Sequence, residues 1–178
     1  MMNAQELKEY NKNRKITQLC FVTRDYKKTI KYLTEKFKWG PWYVLADSQK
    51  TSSNVYFEGQ PVDEWYFYYV IGDVGDMQIE IIQPITGEQP FEKFLSEKGI
   101  GIHHFKEAFS DNDELKKAIK DFEDLGNENI YGGEDGEDIY AYFDSYDALG
   151  FYYEVGNGAI GDVDLTTLPN FIEMYPPE

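Results

Sequence analysis

Two stretches, Ile16–Thr23 (ITQLCFVT) and Ile102–Phe109 (IHHFKEAF), decide how this chain is read. Both have the β-branched and aromatic composition of a strand. Each is followed by an aspartate placed to cap a helix, Asp25 and Asp111, and then by apolar residues at steps of three and four. These are Tyr26, Ile30, Leu33 and Phe37 in the first case and Leu115, Ile119 and Phe122 in the second. Gly40 and Pro41 stop the first helix; Gly126 stops the second. From Gln18 to Asp25 is seven residues and from His104 to Asp111 is again seven, while Asp25 to Gly40 and Asp111 to Gly126 are each fifteen. Matching strand, cap and stop positions argue for a duplicated unit, where an ordinary α+β chain would need three coincidences.

Outward from the first pair, strands are expected near Trp42–Ala46, Trp65–Ile71 (WYFYYVI) and Met77–Gln83 (MQIEIIQ), with a polar link over Ser48–Asn54 and a turn at Gly72–Gly75. Outward from the second pair, strands are expected near Asn129–Tyr131, Asp138–Asp144 and Phe151–Val155. A connector between the halves carries one short helix, Pro90–Glu97, and residues 157–178 form a tail outside the repeat.

The 178 residues fit one domain of ordinary size, and 42% hydrophobic residues suffice for a core. The net charge of −16 repels phosphate backbones and anionic membranes, which excludes nucleic acid as an expected partner. No apolar run approaches the roughly 20 residues of a membrane span, and the polar start MMNAQELKEYNKNRK has no signal-peptide core, so a cytoplasmic location is expected. A single cysteine, Cys20, allows neither an internal disulfide nor a multi-thiolate zinc site. Aromatic residues reach 17%, more ring surface than a core requires, and some of it is expected to line a cavity or an interface.

Strand alternation selects the candidate site. With Leu19 and Phe21 facing the helix, Gln18, Cys20 and Val22 face the other way; with Phe105 and Phe109 facing the helix, His104, Lys106 and Ala108 lie opposite and His103 points away from His104. Glu80 (in IEII) and Glu154 (in FYYEV) are charges set in apolar strands that need pairing or a cation. Gln18, Glu80, His104 and Glu154 together offer one nitrogen and three oxygens, a set suited to a divalent ion such as Zn, Ni, Co, Mn or Fe.

The segments ITQLCFVTRD, IEIIQP, GIHHF and LGFYYEV resemble the vicinal oxygen chelate superfamily, which includes glyoxalase I, methylmalonyl-CoA epimerase, bleomycin-resistance proteins and extradiol dioxygenases. The likeness is greatest to the glyoxalase and epimerase branch and runs from about Ile16 to Val155. It implies an α+β fold of two βαβββ modules, about 16–84 and 101–156 linked by 85–100, forming a curved mixed sheet around a cleft with helices outside. The single domain would then span residues 1–156. It implies metal ligation by Gln18, Glu80, His104 and Glu154, with Gln18 standing where histidine is commoner. It also implies a metal-dependent lyase or isomerase that moves a proton next to a carbonyl of a small-molecule substrate, with Glu154 as base and Glu80 beside it. The second acid that epimerases carry on the third strand of the first half is missing from WYFYYV, whose nearest acids are Asp63 and Glu64. A non-catalytic binding module for an apolar or aromatic compound, of the bleomycin-resistance type, is the alternative, and pairing into homodimers is a family expectation.

Other features have plainer readings. His103 is expected to be structural, Cys20 a small core residue, and the acidic run Glu134–Asp138 an exposed turn. GNGAIG at 156–161 matches a dinucleotide pattern, but no amphipathic helix or ribose-binding acid follows it.

Overall fold

The computed structural model describes residues 2–158 and 163–177, so the second half of the GNGAIG segment lies outside the described residues. In chain order the elements are α1 (Ala4–Asn11), β1 (Ile16–Val22), α2 (Tyr26–Phe37), β2 (Trp42–Ser48), β3 (Ser52–Phe57), β4 (Gln60–Pro61), β5 (Trp65–Val74) and β6 (Met77–Gly87). There follow α3 (Pro90–Glu97), β7 (Gly101–Ala108), α4 (Asn112–Asp124), β8 (Asn129–Asp135), β9 (Asp138–Phe143), α5 (Tyr146–Leu149), β10 (Tyr152–Gly156) and β11 (Phe171–Tyr175). The fold is α+β, and the eleven strands among the described residues join one sheet in the order β11-β2-β5-β6-β1-β7-β10-β9-β8-β3-β4.

The helices start where their caps say they should. Asp25 accepts from the Lys28 amide at 3.0 Å, and Asp111 accepts from the Asp113 and Glu114 amides at 2.9 and 2.8 Å. The first long helix ends at Phe37, three residues before the expected stop at Gly40, with Lys38 in the left-handed region. Phe37, in the last turn, is exposed beside Tyr32 and Trp39 and does not join the buried stripe. Tyr26 and Ile30 remain in the core, packed with Trp42, Val44, Val70, Ile79 and Ile81 on the convex face of the sheet. The second long helix covers the same face further along, with Leu115 against Ala141, Phe143 and Val155. The short α3 differs. Its Phe91, Phe94 and Leu95 pack with Cys20, Val22, Phe67, Ile82 and Tyr142 on the concave side, so this helix plugs the hollow from within.

The link expected over Ser48–Asn54 is largely strand. Three residues separate β2, near one edge of the sheet, from β3, near the other, where β3 pairs with β8 through Ser52↔Asp135 and Phe57↔Tyr131. Three residues reach only about 14 Å, so the sheet must curl until its two ends approach each other. The tail supplies β11, which pairs antiparallel with β2 through Tyr175↔Trp42 and Phe171↔Leu45.

At the centre, β1 runs parallel to β6 and antiparallel to β7, and β7 runs parallel to β10. This register lays the site across four strands. Cys20 stands between Glu80 and His104, and Gln18 stands between Gln78 and Lys106, with Glu154 beyond Lys106.

Candidate metal centre

One interruption of the central ladder shapes the site. Pairing passes from Cys20↔His104 directly to Phe21↔Ile102, leaving His103 as the extra residue of a β-bulge. Simple alternation puts His103 on the opposite face from His104; the bulge cancels that alternation. His103 is instead fully buried on the concave side, its ring 4.9 Å from the rings of Phe91 and Tyr152 and its Nδ1 3.0 Å from Nδ1 of His104. Two neutral or singly protonated Nδ1 atoms this close share one proton, so each histidine dictates the other's tautomer.

With its Nδ1 engaged, His104 turns Nε2 toward the other candidate residues. Glu154 Oε2 lies 2.8 Å away, Glu80 Oε2 3.2 Å and Gln18 Oε1 3.4 Å. Gln18 is held in this pose because its amide nitrogen donates to Gln78 Oε1 at 2.7 Å. His104, Gln18 and Glu154 are buried, and the Glu80 side chain is 13% exposed. A single ring N–H can serve one oxygen, whereas here three face it. Glu80 Oε2 and Glu154 Oε2 are both buried without a hydrogen bond of good geometry. Donor atoms about 2.1 Å from a common cation stand about 3.0 Å apart at octahedral angles and about 3.4 Å apart at tetrahedral ones. The Glu80 and Gln18 distances from Nε2 fall in that range while Glu154 at 2.8 Å lies just inside it, at ion-pair distance, and the donor chemistry of one nitrogen and three oxygens suits a divalent ion.

The electrostatics show what the cluster does without a cation. Burial opposes a charge on His104, but Glu154 and Glu80 outweigh it and push the imidazole up to about 9. Burial likewise opposes a charge on Glu154, yet Lys106 and His104 hold its carboxyl below the ordinary value. His103 is pushed well down by burial and by its neighbour His104, and so stays neutral.

Two nearby side chains extend the set. Cys20 Sγ, Glu80 and His104 place ligand atoms within 4.8 Å of one another. Burial and the Glu80 carboxylate push the Cys20 thiol well up, so without a cation it is protonated. Lys106 has its Nζ 3.6 Å from Glu154 Oε1 and donates to the Gly158 carbonyl at 2.9 Å. Alternation from His104 places Lys106 on the inner face, but its ion pair with Glu154 depends on the β7–β10 register.

Gln18, Glu80 and Glu154 of the cluster, with Lys106, form one wall of a cavity of about 330 Å³, and His104 lies buried behind them. Phe67, Tyr69, Tyr131, Tyr140 and Tyr142 line it, with Leu165 and Leu168 of the tail. The alternating row on β5 thus sends Phe67 and Tyr69 inward, while Tyr68 joins the convex core. Asp63 and Glu64 are exposed and lie outside the lining. The acidic hairpin turn is present, but its Asp135 and Asp138 reach the cavity rim, which a plain solvent turn would not do.

No curated protein sequence matches the chain. Among solved structures, a hypothetical protein from Bacillus halodurans is similar at 16% identity, over 85% of this chain and 99% of the other, with a TM-score of 0.60. The methylmalonyl-CoA epimerase of Mycobacterium tuberculosis is similar at 16% identity, over 80% and 86%, with a TM-score of 0.54. A mutant 4-hydroxymandelate synthase from Streptomyces coelicolor is similar at 12% identity, over 82% of this chain and 38% of that one, with a TM-score of 0.56. At such identities these likenesses concern the fold. Residues 17–143 match a family model, and the chain therefore belongs to the Glyoxalase/Bleomycin resistance protein/Dioxygenase superfamily.

Proposed function

We propose that the protein is a metal-dependent lyase or isomerase of the glyoxalase and epimerase type, moving a proton next to a carbonyl of a small substrate. The observation that carries this reading is the convergence of Glu80 Oε2, Glu154 Oε2 and Gln18 Oε1 on His104 Nε2, with neither carboxylate oxygen making a hydrogen bond of good geometry. Gln18, Glu80, His104 and Glu154 would hold one divalent ion. When bound, such an ion supplies Lewis-acid stabilisation of the enolate that forms as the neighbouring C–H is lost.

The chain's own residues do the rest. Glu154 takes the proton: its Oε1 faces the cavity wall beside Lys106, and that ammonium keeps the carboxyl ionised and ready to accept. Glu80, on the opposite neighbour of β1, balances the charge of the centre. The rings of Phe67 and Tyr142 shed water from the reacting carbon and so strengthen these interactions. Strand β5 presents Phe67, Tyr69 and Ile71 to the cavity and no acid, so the proton is handled by Glu154 with no carboxylate from that strand facing it. We treat residues 16–84 and 101–156 as the two modules that supply two ligands each, in keeping with the mirrored orders β2-β5-β6-β1 and β7-β10-β9-β8.

Metal analysis of the purified chain is the test. One divalent ion per chain, lost in Glu80→Ala/Glu154→Ala, is the expected result; undiminished uptake by that variant would refute the site. The ring-lined cavity favours a second reading, sequestration of an apolar or aromatic compound without catalysis. That reading holds if no stoichiometric ion is found and ligand binding survives chelation. Among the described residues no helix is long and apolar enough to cross a membrane.

A further inference from the structure

The cavity has a second pole. Asp47 at the end of β2, and Asp135 and Asp138 at the facing ends of β8 and β9, line it together with Tyr69, Tyr131 and Tyr140. Asp47 is buried, and its Oδ1 accepts from the Ser48 amide at 2.8 Å, Thr51 Oγ1 at 2.5 Å and Ser52 Oγ at 2.6 Å. These donors are all neutral. They fix the carboxylate without cancelling its charge. Asp135 and Asp138 are direct cross-strand partners, an arrangement of like charges that costs stability unless something neutralises it. Burial lifts the Asp135 carboxyl above its ordinary range, and Asp47 and Asp138 lift it further. The only basic side chain in the described lining is Lys106, and it is engaged by Glu154 and the Gly158 carbonyl. Among the rings, the Tyr140 hydroxyl is buried without a hydrogen-bond partner.

We propose that this pole binds the ammonium head of an organic cation, an amine or quaternary ammonium compound whose remainder extends toward Glu80 and Glu154. The proposal deepens the functional reading above, since it names the ligand class of the same cavity. Aromatic rings and carboxylates lining one cavity, with Asp47 buried and Asp135 at the exposed rim, are the groups that recognise a substituted ammonium head. Asp47 Oδ1 already accepts three hydrogen bonds and its Oδ2 accepts from the Trp65 indole at 3.4 Å, so Asp47 offers charge more than ligand oxygens; calcium is accordingly one of the outcomes tested below. The net charge of −16 adds a field of the same sign.

Calorimetry on the metal-free, chelator-treated chain tests this with benzyltrimethylammonium, benzyl alcohol and phenylacetate as probes. The quaternary ammonium is expected to bind about tenfold or more tighter than the alcohol and to weaken with added salt, with phenylacetate showing no binding. Asp135→Asn/Asp138→Asn should lose about tenfold of that affinity. Equal binding of the three probes, preference for phenylacetate, or an unchanged variant would overturn the proposal. So would binding of calcium alone, dependent on Asp135 and Asp138, with no ammonium binding. The salt series on the unmodified chain keeps the test valid if the variant misfolds. Because no metal is present, amine binding can stand even if the Glu80/Glu154 metal test fails, and the metal reading can stand if amine binding fails.

Discussion

The chain has only two histidines, and they sit side by side, so their titration reads the charge balance of the site directly. In metal-free protein His104 is held at about 9 against an ordinary 6.5, because Glu154 and Glu80 overcome the effect of burial. That difference corresponds to about 3 kcal/mol favouring the imidazolium in the folded state. The perturbation is Glu80→Gln/Glu154→Gln, which keeps shape and removes both negative charges. Burial then acts alone, and His104 should fall below 6.5. The linkage has a definite sign. A group whose folded value is raised stabilises the fold fully below its unfolded value and loses that contribution as pH rises through the folded one. Chelator-treated protein should therefore lose up to about 3 kcal/mol of unfolding free energy between pH 6.5 and 9 through this group. The Gln/Gln variant should show no such loss. The assay is NMR titration of the imidazole carbons, with urea unfolding across the same pH window. One histidine titrating near 9 and the other, His103, remaining neutral is the expected pattern. If His104 titrates at or below 6.5 with both carboxylates in place, the reasoning about this cluster is wrong.

Loading the same cluster with zinc near pH 7.5 should expel about one proton per ion, read as a calorimetric heat that scales with buffer ionisation enthalpy; a buffer-independent heat would contradict an imidazolium in the empty site. Arg14 caps another buried charge: it engages both oxygens of Glu107, which is 1% exposed, and Tyr153 donates to Glu107 at 2.9 Å. Arg14→Ala should cost about 3–5 kcal/mol in urea unfolding, and adding Glu107→Gln should recover much of it, because the loss is the penalty of an unpaired buried carboxylate. Gly72→Ala would set a methyl 2.7 Å from the Trp42 ring and 2.8 Å from the Pro41 carbonyl. With Trp42 fully buried there is nowhere to move, and thermal melts should show a loss of about 1–3 kcal/mol.

What the sequence made readable, and what it hid, divides along the range of the interactions involved. Asp25 and Asp111 announce their helices because a cap bonds amides two or three residues away. The strand Ser52–Phe57 does not announce itself, because its partner β8 lies more than seventy residues further along and nothing in the link encodes that pairing. The inner positions of Gln18, Glu80, His104 and Glu154 follow from alternation within each strand, a local rule, and the structure does bring those four side chains together. Alternation failed at His103, where the register of β7 against β1 slips by one residue. The slip belongs to the pair of strands, so no pattern within IHHFKEAF could reveal it. Yet its consequence falls on the proposed chemistry. By turning His103 inward it sets Nδ1 against Nδ1, which leaves Nε2 as the nitrogen that His104 offers to the oxygens around it. A strand without the bulge would leave that ring free to choose either nitrogen. The one place where local reading breaks down is therefore the place where the fold decides which atom of His104 is presented to a cation or a proton.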